Sequence, residues 1–89
     1  RADLLPVMNA YVENLRALLG REPANAGAHR QMAESLLALG READALPHLE
    51  RALFAAPTDE ALRFRLAALW VEQGRFAAAR DLLDEGVGL

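Results

Sequence analysis

Two stretches decide how this chain folds: GREADALPHL at residues 40–49 and GRFAAARDLL at residues 74–83. They begin alike, and they lie 34 residues apart. The shift pairs Gly40 with Gly74, Arg41 with Arg75, Ala43 with Ala77, Ala45 with Ala79 and Leu49 with Leu83. Extended outward, it pairs Met32 with Leu66, Ala33 with Ala67, Leu36 with Trp70, Asn25 with Asp59 and Pro23 with Pro57. Backwards, Leu15 pairs with Leu49 and Leu19 with Leu53. A fixed period of this length over helix pairs is what a stacked array of α-hairpins leaves in a sequence.

Between the repeated glycines and prolines, apolar residues recur at helical spacing. The spacing predicts five helices, roughly 4–20, 25–39, 42–55, 59–73 and 76–86. Asp3, Asn25 and Asp59 are suited to N-caps, with Thr58 as an alternative to Asp59. Gly40 and Gly74 stand where a helix ends in a left-handed residue, and Gly20 also reads as a terminator. Pro6 falls in a first turn, where a missing N–H costs little. Pro47 conflicts with a helix over 42–55, and a later start capped by Asp44 is the expected resolution. The closing Gly86-Val87-Gly88-Leu89 reads as a fraying end. Short loops force consecutive helices to pack antiparallel.

Composition agrees with an all-α chain. Of 89 residues, 19 are Ala and 17 Leu, with no Ile and four Val, so helix formers dominate strand formers. The chain is 53% hydrophobic and 26% charged, a globular balance for one small domain over 1–89. The absence of cysteine excludes disulfides, thiolate zinc and cysteine nucleophiles, but leaves cytoplasm and periplasm equally open. The formal charge of −3 argues against nucleic acid as a partner, and the apolar runs are too short for membrane insertion. All ten basic residues are Arg, a bias that points to a GC-rich bacterial genome. The chain opens on Arg1, which suggests a piece of a longer protein.

The combination of positions resembles the tetratricopeptide repeat family. In residues 26–59 the family pattern reads His29, Met32-Ala33, Leu36, Gly40, Ala45, Leu49, Ala52 and Pro57. In residues 60–89 it reads Arg63, Leu66-Ala67, Trp70, Gly74, Phe76, Ala79 and Leu83. His29 and Arg63 replace the usual Trp, Tyr11 stands where a small Ala is usual, and Gly86 replaces a late Ala. The resemblance implies antiparallel α-hairpins stacked as a short right-handed superhelix, with a half repeat at 4–23, a repeat at 25–58 and a C-terminally truncated repeat at 59–89. The small residues Ala33, Ala45, Ala67 and Ala79 mark close helix approaches, and Leu36, Leu49, Trp70 and Leu83 fill the spaces between hairpins.

No catalytic constellation is present. A triad could use only Ser35 with His29 or His48, and no nucleophile elbow surrounds Ser35. Asp44 and His48 share a helix face at i, i+4, but one acid–imidazole pair is not a metal site and reads as a solvated surface pair. His29 reads as a partly buried residue between helices. No cofactor is expected, and the chain reads as no enzyme.

The resemblance instead implies a concave groove, lined by helices two and four, for a peptide or helix of a protein partner. It places Arg30, Glu34, Leu37 and Ala38, then Phe64, Ala68, Val71 and Glu72 on that face. The clamp that some relatives use on acidic C-termini is not expected, because Arg30 and Arg65 are its only basic candidates while Glu34 and Ala61 stand at its polar positions. The other reading is a structural or oligomerisation appendage of a larger bacterial enzyme or envelope assembly, without a groove ligand. It would use the apolar ends: Leu82, Leu83 and Val87 at one, and Leu4, Leu5, Val7 and Met8 at the other, with a homodimer as one outcome.

Overall fold

The computed structural model of the chain describes residues 4–88, with side chains as far as Glu85. Five helices follow one another: α1 (Leu5–Arg21), α2 (Ala26–Ala38), α3 (Glu42–Ala55), α4 (Glu60–Glu72) and α5 (Phe76–Gly88). Each helix packs on the next in the chain, and no strand occurs among the described residues. The radius of gyration is 13.8 Å. A globular chain of this length would have about 12 Å, so the helices build an elongated stack rather than a ball.

The 34-residue period is written into the backbone. Asn25 Oδ1 accepts from the Ala28 N–H at 3.0 Å, and Asp59 Oδ1 accepts from the Leu62 N–H at 3.1 Å. Asp59, not Thr58, therefore caps α4. At the other helix ends, Gly40 and Gly74 adopt φ of 77° and 79°. Each is followed by a reversal in which Arg41 N–H reaches Leu36 O, and Arg75 N–H reaches Trp70 O, both at 2.8 Å. This is the Schellman arrangement, and its left-handed residue is accessible to glycine at little cost.

Three local expectations are corrected. Gly20 does not end α1, which runs on to Arg21 and stops before Pro23. Asp44 does not cap α3, which starts at Glu42 and carries Pro47 in its interior. There Ala45 and Leu49, both essentially inaccessible, hold the helix against its neighbours across the proline. The closing residues 86–88, read as a fraying end, continue α5. Asp3, the expected cap of α1, lies outside the described residues.

Two apolar clusters form the core. The first joins α1, α2 and α3 through Val12, Leu15, Met32, Leu36 and Ala45. The second joins α2 to α5 through Ala33, Leu49, Leu53, Leu66, Ala67, Ala79 and Leu82. Leu37 packs against both, so it is the joint between them. The four small residues Ala33, Ala45, Ala67 and Ala79 are all buried, as close helix approach requires. Tyr11 does not fill its equivalent position in α1. It is exposed and donates to Gln31 Oε1 at 2.9 Å, while Val12 takes the core place.

Candidate protein-binding face

Helix α4 is apolar on two sides. Leu62, Leu66, Ala67 and Leu69 face the core and are buried. Phe64, Ala68 and Val71, at i, i+4 and i+7, are exposed, Phe64 by 63% and Val71 by 45%. An amphipathic surface helix would carry polar residues there, so burial in the fold does not account for this stripe. Arg65 and Glu72 flank it and are exposed.

Between α2 and α4 lies a small hollow of about 40 Å³, lined by Arg30, Glu34, Leu37, Leu49, Ala61, Leu62 and Arg65. Of the residues expected on this face, Arg30, Glu34 and Leu37 line the hollow, whereas Phe64, Ala68, Val71 and Glu72 stand outside it. Ala38 is exposed at the end of α2. Leu37 is half-buried and mostly spent on the core.

Arg30 is engaged rather than free. Its Nη1 donates to Asp59 Oδ2 at 2.7 Å, and its Nε lies 3.6 Å from Glu34 Oε2. Asp59 thus caps α4 and ties it to α2. The Leu62 N–H holds the Asp59 carboxyl below its ordinary range; desolvation opposes it, and the hydrogen bond and charge of the Arg30 guanidinium add to the lowering. Arg65 is therefore the cation that this face presents with no carboxylate within ion-pair distance among the described residues.

The C-terminal end looks different from its sequence. Leu82, expected to await cover, is already buried at 8% exposure in the core of the last hairpin. Leu83 is half-buried against the same cluster, and the side chain of Val87 lies outside the described residues. At the other end, Leu4, Leu5 and Val7 are exposed and Met8 is half-buried. Trp70, expected inside, is half-buried and covered by the Arg75 guanidinium at 4.5 Å from the ring centroid.

Several polar contacts escaped the sequence reading. Asp44 does not pair with His48. It accepts from Arg41 Nε at 3.0 Å, and His48 meets His29 instead. Arg63, buried to 6% exposure, donates to Leu82 O at 3.0 Å and to Pro57 O. Phe54 and Phe76 are exposed, Phe54 by 87%. The only available signal for Arg63 and His29 was a polar residue at a position that repeats with the core. Among the described residues no group of three or more His, Asp or Glu could hold a metal ion, and no helix is long and apolar enough to cross a membrane.

The family model described as Tetratricopeptide repeat matches residues 36–88. Tetratricopeptide repeat protein 34 of Homo sapiens is 47% identical over 55 residues, which is 61% of this chain. The chain spans about a tenth of that relative's length, 10%.

Proposed function

Because the chain belongs to the tetratricopeptide repeat family, whose repeats generally mediate protein–protein interactions, we propose that it binds a peptide or helix of a protein partner on its α2–α4 face and catalyses nothing itself. The observation that supports this reading is the second apolar stripe on α4. Phe64, Ala68 and Val71 are spaced as a helix or an extended segment with apolar anchors would need. Arg65 and Glu72 flank it, which suits a ligand that is apolar at its centre and carries both charges at its edges. Arg30 positions rather than binds, because Asp59 and Glu34 already hold its guanidinium.

The test is selection from a displayed peptide library against the folded chain, repeated with Phe64→Ser and Val71→Ser. Both side chains are exposed, so the variants should melt with the parent. Selected peptides should carry apolar residues at regular spacing and bind each variant at least about tenfold more weakly, a loss of about 1.4 kcal/mol. Peptides that bind parent and variants equally would sink the proposal. So would a chain that selects nothing but forms a concentration-dependent dimer abolished by Leu83→Ser, which is the appendage reading.

A further inference from the structure

His29 on α2 and His48 on α3 meet nitrogen to nitrogen, Nδ1 to Nδ1, at 2.9 Å. Their ring centroids are 5.2 Å apart, close to that distance plus a ring radius on each side. The two nitrogens therefore lie near the line joining the rings, with their lone-pair directions opposed. A metal would need the lone pairs to converge on a common point, so this geometry holds a proton instead.

The other nitrogen of His29 fixes where the proton sits. Its Nε2 is 2.8 Å from Pro23 O, and a carbonyl only accepts, so Nε2 carries hydrogen. In the neutral pair, His29 Nδ1 is then the acceptor and His48 Nδ1–H the donor. One added proton keeps a single in-line N–H···N bond, whichever ring takes it. A second places hydrogen on both facing nitrogens and leaves no acceptor.

We propose that the His29–His48 pair is a one-proton clasp between α2 and α3, closed while the pair carries at most one positive charge and opened by the second proton. The surroundings favour opening in acid. Arg16 from α1 and Arg51 from α3 add positive charge near His48, and only Asp44 from α3 opposes it. His48 is half-buried, so it is the ring that can turn to solvent, while His29 is buried and anchored to Pro23 O. Arg51 Nη2 lies 3.3 Å from the same carbonyl, so opening acts at the turn that joins α1 to α2. Desolvation, and then the charge of His29, hold the His48 imidazole below its ordinary value of 6.5. The folded state therefore binds fewer protons than the unfolded one below that pH. The clasp contributes fully above about 6.5 and is lost as pH falls through the folded value.

The test is nitrogen-15 NMR of the whole chain from about pH 8 to pH 4.5, with melting curves over the same range. At high pH, His48 should carry its proton on Nδ1 and His29 on Nε2. The pair should titrate in two steps, with the second proton binding at least about tenfold more weakly than the first. His48→Asn places an amide donor at the position of Nδ1 but does not titrate, so the fall in melting temperature between about pH 7 and 5 should shrink in this variant. Protonation of His48 on Nε2 at high pH, independent titration of the two rings, or parallel acid loss in parent and variant would overturn the clasp.

Discussion

His29 and Arg63 occupy equivalent places one repeat apart, and each donates to the carbonyl of a proline six residues before it, His29 to Pro23 and Arg63 to Pro57. These are the two positions where the family usually has Trp. A large ring there would fill space. Here a polar side chain fills it and also satisfies the carbonyl that the turn leaves without a helical partner. Arg63 does more, since it also donates to Leu82 O and lies 3.8 Å from Glu85 Oε1.

Arg63→Leu should therefore destabilise the fold although it places an apolar residue at a buried site. One buried carbonyl, of Leu82, and one half-buried carbonyl, of Pro57, lose a charge-assisted donor, at a cost of about 3 kcal/mol. For a chain of this size that lowers Tm by roughly 15 °C. Arg63→Lys should recover only part of it, because an ammonium does not span both carbonyls as a planar guanidinium does. An unchanged melting temperature in Arg63→Leu would show that packing alone matters here.

Asp59 separates two roles in one residue. Asp59→Asn keeps a cap acceptor for the Leu62 N–H but weakens the bond from Arg30, whereas Asp59→Ala removes both. Alanine should lower Tm by more than asparagine does. The folded carboxyl titrates below the ordinary 3.8, so its contribution is complete well above that pH and disappears as pH falls through the lower folded value. Acid unfolding of Asp59→Asn should lack this component. Identical acid profiles for parent and Asp59→Asn would disprove the linkage.

The caps and turns were legible because local chemistry decides them. Asn25, Asp59, Gly40 and Gly74 act on backbone within a few residues, and their spacing exposed the repeat. Gly20 misled because glycine permits a reversal without requiring one, and nothing in α1 needs a left-handed residue there. The Arg30–Asp59 and His29–His48 pairs were hidden for another reason. They depend on which helix faces meet across 29 and 19 residues, and no short-range pattern encodes that. Leu82 was expected at the apolar end together with Leu83 and Val87. Leu82 and Leu83 both lie on α5, but Leu82 faces the core with Ala79, three residues earlier.

Close helix approach and exposed bulk should respond oppositely to substitution. Ala79 is 2% exposed beneath α4, so Ala79→Leu must push neighbours aside and should cost about 1–3 kcal/mol. Phe54 is far more open, and Phe54→Ala should leave Tm within about 3 °C of the parent. Thermal melts of the two variants decide this, and equal Tm values would refute the packing account of the repeated alanines.

Pro47 sits at an exposed position inside α3, where it supplies no N–H for the carbonyl of Ala43. Tertiary packing of Ala45 and Leu49 holds the helix together across that defect. Pro47→Ala restores the missing donor and relieves the ring's contact with the preceding turn, at an interior penalty of about 3 kcal/mol. Alanine also gives the unfolded chain more freedom, which returns up to about 1 kcal/mol. The net expectation is a gain of about 2 kcal/mol, seen as a Tm higher by roughly 10 °C. A lower Tm would mean that the proline is held by a favourable local bend in α3, and that straightening it disturbs the adjacent His48 and its contact with α2.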